Sequence, residues 1–171
     1  MENLTTKNLF EKFDLKPSFE LDVDELEAKY LAFQQQFHPD KLIGKSKEEQ
    51  IDLEHNSFLI NEAFAILKNP LRRAIYLLKL HGINIDDESC PVKPDQETLI
   101  KTLELREFIF ENRDIEKLTN LRQALQKESK EILRKAKNHF ENQDYKNCAL
   151  ELIKAKYLEK SQEEIKKIIV G

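Results

Sequence analysis

Across 171 residues, 28 Lys and Arg stand against 32 Asp and Glu; the formal net charge of −4 argues against nucleic acid as a generic partner. Hydrophobic residues at 40%, charged residues at 35% and three glycines fit a soluble, strongly helical protein of one domain or two small ones. No apolar run approaches the roughly 18 residues that span a bilayer, and Met1-Glu2-Asn3-Leu4-Thr5 has neither a secretory apolar region nor an Arg-rich transit pattern. Membrane partners are therefore not expected, and a cytoplasmic location is.

In chain order, a first short helix is expected over residues 7–13, with Leu9, Phe10 and Phe13 on its apolar side and Thr5 or Thr6 as cap. Lys16-Pro17-Ser18 breaks it. A second helix over 22–37 repeats Leu26, Tyr30, Phe33 and Phe37 at spacings of four, three and four, which places them on one face. Asp22 followed three residues later by Glu25 is a capping-box start. Pro39 ends this helix, because proline lacks an N–H and biases its predecessor His38 away from the α region. A third helix over 46–68 is expected to bury Ile51, Phe58, Leu59, Ala63, Ile66 and Leu67, and to lie antiparallel to the second because the connection is short. A fourth over 70–80 carries Leu71, Ile75, Leu77 and Leu78, and His81-Gly82 closes it.

Residues 82–94, GINIDDESCPVKP, form a run of turn and breaker residues, which places a domain boundary there. Three more helices are expected over 95–111, 114–140 and 144–169. The last two would each approach about 40 Å at 1.5 Å per residue. An antiparallel hairpin with the shorter helix laid against it is the natural packing. Cys90 and Cys148 form no C-x-x-C pair, so neither a zinc site nor a redox motif is expected and both read as ordinary thiols. His38 and Asp40 could be read as a catalytic dyad, as metal ligands for a hydrolase, as helix caps, or as a rigid recognition loop. No nucleophile, glycine-rich loop or third clustered ligand lies near them, and His55, His81 and His139 are scattered elsewhere. No catalysis, cofactor or metal is expected.

An aromatic residue followed by His38-Pro39-Asp40-Lys41 between two helices resembles the J domain of DnaJ-type co-chaperones. The later run from Asn61 through Ala63, Leu67 and Pro70 to Arg73 is similar to that family's "N-x-A-x-x-x-L-x-x-P-x-x-R" pattern, in register with the loop. The second half narrows the resemblance. Arg73-Ala74-Ile75-Tyr76-Leu77-Leu78-Lys79-Leu80-His81-Gly82 is similar to the "R-A-x-Y-L-L-x-L-x-G" of HscB co-chaperones, and Leu103-Glu104-Leu105-Arg106-Glu107 resembles their "L-E-L-R-E". The chain resembles the bacterial type of that family.

The resemblance implies an all-α fold: a J domain over 1–81, a connector over 82–94 and a C-terminal three-helix bundle over 95–171. It implies a co-chaperone of iron–sulfur cluster biogenesis that brings the scaffold protein IscU to the DnaK-class chaperone HscA and stimulates its ATPase. The chaperone-binding residues it implies are His38, Pro39, Asp40 and Lys41, with Lys29 on a helix whose basic face is thin, since Gln34-Gln35-Gln36 follow. The scaffold-binding residues it implies are Leu99, Ile100, Leu103, Glu104 and Glu107, with Tyr157 on the last helix. The residues themselves leave two readings of Leu99, Ile100 and Leu103. They pack in the bundle core, as apolar helix stripes usually do, or Leu105, Phe108 and Ile109 turn inward and leave them exposed as an interaction patch. A general J-domain co-chaperone with another client is the alternative function.

Overall fold

The computed structural model describes residues 4–36 and 44–170, and the chain divides into two compact units, Met1–Arg73 and Ala74–Gly171. Among the described residues there are seven α-helices and no strand. The division falls inside a helix, ahead of the 82–94 connector where composition alone marks a break. Turn residues mark where the chain can bend, whereas a compact unit depends on which side chains pack together.

In the first unit, α1 (Leu9–Lys12) starts at Asn8, whose side chain accepts from the Glu11 amide while Glu11 reaches back to the Asn8 amide. The cap is therefore Asn8, not Thr5 or Thr6. A reciprocal box satisfies two orphan amides, where a lone threonine would satisfy one. Phe10 and Phe13 are fully buried below this turn.

Helices α2 (Val23–Gln36) and α3 (Lys47–Lys68) run antiparallel. As α2 advances from Glu27 to Tyr30 and Gln34, its partners on α3 retreat from Lys68 to Phe64 and Asn61. Tyr30 stacks on Phe64 with ring centroids 3.9 Å apart. Asp22 starts α2 by accepting from the amides of Asp24 and Glu25, and Ser46 starts α3 in a full capping box with Glu49. The buried stripe of α3 is Leu53, Ile60, Ala63 and Leu67. This corrects part of the expected stripe: Ile51 and Phe58 are each 63% exposed. Both stripes have helical spacing, and the position of α1 and α2 selects which one is covered.

Helix α4 (Pro70–Leu80) begins with its proline at the first helical position, where a missing N–H costs nothing. Arg73 is 5% exposed; its guanidinium donates to the Phe19 carbonyl at 3.0 Å and the Leu67 carbonyl at 2.6 Å. Burial holds its pKa below the usual arginine range. The Asn61-to-Arg73 motif therefore has a structural explanation. Asn61 accepts from Tyr30 and Gln34, Ala63 and Leu67 are fully buried, and Arg73 ties the α3–α4 corner to the segment before α2. Replacing Arg73 by Ala removes two hydrogen bonds that a buried charged donor makes to backbone carbonyls. A loss of about 3 kcal/mol in urea unfolding is expected; a loss under about 1 kcal/mol would contradict this role.

In the second unit, Gly82 closes α4 with φ of +85°, and the Ile83 and Gly82 amides donate back to the Leu78 and Lys79 carbonyls. That paired return is a helix-ending motif that requires the left-handed conformation glycine adopts freely. Helices α5 (Gln96–Glu111), α6 (Ile115–Glu141) and α7 (Tyr145–Val170) follow, within one or two residues of their expected bounds. Asp95 and Asp114 cap the first two. Helices α6 and α7 form a long hairpin, with Leu118, Leu125, Ile132 and Ala136 facing Cys148, Leu152, Ala155, Leu158 and Ile165 in the core. Gln162 of α7 donates to Ser129 of α6 at 3.0 Å midway along it. At the turn, Gln143 takes φ of +59° and makes the same paired return, its amide donating to Phe140 and that of Asp144 to His139.

Candidate functional site

The first candidate surface, His38, Pro39, Asp40 and Lys41, lies outside the described residues. The framework that presents it is described on both sides, by α2 ending at Gln36 and by the Ser46 cap of α3. Lys29 is on α2, where its ammonium sits 3.0 Å from the Glu25 carboxylate and donates to the Asp14 carbonyl at 3.0 Å. Its charge is thus shared with a neighbour on the same helix. Three acids and this one lysine make up the charged residues of α2.

The second candidate surface is carried by α5, which is held at both ends of its first half. Asp95 accepts from the Thr98 amide at 2.8 Å and the Thr98 hydroxyl at 2.5 Å, and its other oxygen lies 3.3 Å from Lys154 of α7. The Thr98 hydroxyl, its amide and Lys154 together hold the Asp95 carboxyl below the usual range. One and a half turns on, Lys101 pairs with Glu128 of α6. These ties fix the rotation of α5 about its axis.

That rotation turns Thr98, Thr102 and Ile109 inward; they are 8%, 8% and 4% exposed. Leu99, Ile100 and Leu103 face outward at 42%, 48% and 65%. The core-packing reading of these three is therefore wrong. Its alternative is also amended: Ile109 turns in and Leu105 is half-buried, but Phe108 stays 40% exposed and two threonines take the place of apolar residues. Thr102 satisfies its hydroxyl by donating to the Thr98 carbonyl at 2.7 Å, which is what allows it to be buried. Glu104 and Glu107 are exposed beside the apolar residues.

Tyr157 is half-buried on α7 and lines two cavities. The larger, of ≈340 Å³, lies between α7 and the connector, with Ile85, Cys90 and Val92 in its walls. The other is bounded by Thr98 and Thr102, the inward side of α5. None of Leu99, Ile100, Leu103, Glu104 or Glu107 lines either cavity. The five α5 residues come together; Tyr157 stands apart from them. Sequence reasoning passed over Phe110, 77% exposed at the end of α5. Extending the Leu99–Leu103 spacing by two turns would have reached it.

Among the described residues no group of three or more His, Cys, Asp and Glu side chains is placed to hold a metal ion. His139 pairs with Asp144 at 3.0 Å, and His81 packs against Phe140 and Tyr145. Both cysteines are free and buried. Burial pushes the Cys148 thiol up to about 12, with Asp144 and Glu151 acting in the same direction. Because the thiolate is the nucleophile, alkylation of Cys148 in the folded protein at pH 8 is expected to be at least about a hundredfold slower than in urea. Residue-resolved mass spectrometry checks this, and comparable rates in both states would contradict it.

The HscB C-terminal oligomerisation domain, as a family model, matches residues 94–166. A co-chaperone protein HscB homologue of Neisseria meningitidis serogroup C is 37% identical over 160 residues, covering 91% of this chain and 95% of that protein. The chain belongs to the HscB co-chaperone family. The human iron–sulfur cluster co-chaperone protein HscB is 30% identical over 161 residues, covering 94% of this chain and 68% of the human one. Two solved HscB structures share the fold. Chaperone HscB from Vibrio cholerae superposes with a TM-score of 0.81 at 28% identity, over 95% of this chain and 97% of that one. Human co-chaperone protein HscB superposes with a TM-score of 0.85 at 30% identity, over 95% and 82%. This HscB-family chain is thus an all-α protein, a J domain followed by a C-terminal helical bundle. No helix among the described residues is long and apolar enough to cross a membrane.

Proposed function

We propose that the chain is a bridging co-chaperone that binds the iron–sulfur scaffold IscU through its C-terminal bundle and delivers it to the DnaK-class chaperone HscA. In this reading residues 1–81 act as the J domain and 95–171 as the scaffold-binding part, in the cytoplasm, and the chain itself performs no catalysis. Family membership supports the co-chaperone role, and one structural observation carries the scaffold assignment. Helix α5 exposes Leu99, Ile100 and Leu103 while burying threonines, with Glu104 and Glu107 beside them. A helix docked on a bundle ordinarily does the reverse. Apolar side chains rimmed by charge and turned to solvent mark a protein-binding face.

His38, Pro39 and Asp40 then engage the ATP-bound chaperone, Pro39 limiting the backbone freedom of the pair it separates. Holding scaffold and chaperone together couples the two binding events, so each partner strengthens the response to the other. Tyr157 contributes from below α5, supporting the face rather than forming it. Isothermal titration of the chain with purified scaffold tests the assignment. Saturable one-to-one binding is expected. Absence of scaffold binding by a protein that still stimulates a DnaK-class ATPase would instead favour a general J-domain co-chaperone.

A further inference from the structure

Among the described residues Phe110 is the most exposed large apolar side chain, at 77%. It follows Leu103 by seven residues and Leu99 by eleven, close to two and three turns. At 3.6 residues per turn the three side chains project within about 40° of one another. They form a stripe about 16 Å long at 1.5 Å per residue. The inward residues Thr98, Thr102 and Ile109 each precede a stripe residue and lie about 100° round the helix from it. Glu104, Glu107 and Glu111, all exposed, line one flank of the stripe, and Arg106 stands on the other.

We propose that Phe110 is the distal apolar anchor of the scaffold-binding face. The partner would present an apolar strip along Leu99, Leu103 and Phe110, with basic side chains along the flank formed by the three glutamates. The inference rests on the reading of α5 as the scaffold contact, and extends it by a residue that the "L-E-L-R-E" run does not contain. Continuity selects this occupant: Phe110 lies in line with Leu99 and Leu103, two turns beyond Leu103, and the acidic flank from Glu104 to Glu111 accompanies the part of the stripe that leads to it. An aromatic side chain brings a large contact area, and aromatic residues, Phe among them, are enriched at protein interfaces.

Titration of the scaffold with wild type, Phe110→Ala, Phe110→Leu and the Leu99→Ala/Leu103→Ala pair tests this, with circular dichroism and sedimentation of each protein alone. Phe110→Ala is expected to weaken scaffold binding at least about tenfold, with Phe110→Leu restoring part of it and helicity unchanged. If the leucine pair weakens binding and Phe110→Ala does not, the anchor is refuted while the α5 face stands. If neither affects binding, both fail. If Phe110→Ala dissociates a wild-type dimer and leaves scaffold affinity unchanged, the stripe serves a second copy of this chain and the proposal is overturned.

Discussion

His38→Gln is expected to abolish stimulation of HscA ATP hydrolysis, at least about tenfold below wild type, while leaving thermal stability unchanged. Glutamine keeps a polar side chain of similar length but lacks the imidazole, which alone among side chains changes charge near neutral pH and offers two ring nitrogens. The fold should not register the change. The α2–α3 pair is held by the Tyr30–Phe64 stack, by Asn61 accepting from Tyr30 and Gln34, and by the Lys68–Glu27 pair at 2.9 Å. None of these involves the loop. Lys29 is a weaker lever, because its ammonium is already shared with Glu25 and the Asp14 carbonyl. Charge on this face tunes encounter rate more than affinity. Full stimulation by the His38→Gln protein would remove the loop from the mechanism.

Leu99→Ala combined with Leu103→Ala is expected to weaken scaffold binding by about 2–4 kcal/mol, roughly 30- to 1,000-fold in Kd. The same pair should cost little stability, since exposed positions change folding free energy by about 0.5 kcal/mol or less each. The side chains are 42% and 65% exposed, so about half of their combined surface has no partner in the folded chain. Buried leucines would behave oppositely, each truncation costing about 2–5 kcal/mol of stability. Calorimetric titration and thermal melting of the one double variant therefore separate the two roles. A collapse in melting temperature would return these leucines to the core.

Element type and bounds were legible because the capping residues are legible. The expected starts at 22, 46, 95 and 114 fall on Asp22, Ser46, Asp95 and Asp114, and in the structure each of these side chains accepts from first-turn amides. Which stripe of a helix is buried was less so. On α3 the expected Ile51 and Phe58 gave way to Leu53 and Ile60. On α5 the buried positions include Thr98 and Thr102, which hydropathy assigns to solvent. Periodicity measures spacing, not phase, and the phase of α5 is set by Asp95 meeting Lys154 and Lys101 meeting Glu128. Those partners lie far along the chain, where local reading does not reach. Gln143 escaped for a related reason: it holds a left-handed turn that glycine usually marks, so the α6–α7 junction carried no glycine signal.

The bridge itself is tested most directly by single-turnover ATP hydrolysis on HscA, with this chain present throughout and the scaffold added or withheld. The account predicts that the chain alone stimulates hydrolysis and that scaffold raises the rate further, and that the extra increment disappears with the Leu99→Ala/Leu103→Ala protein. A rate that is indifferent to scaffold in the wild-type chain would contradict it.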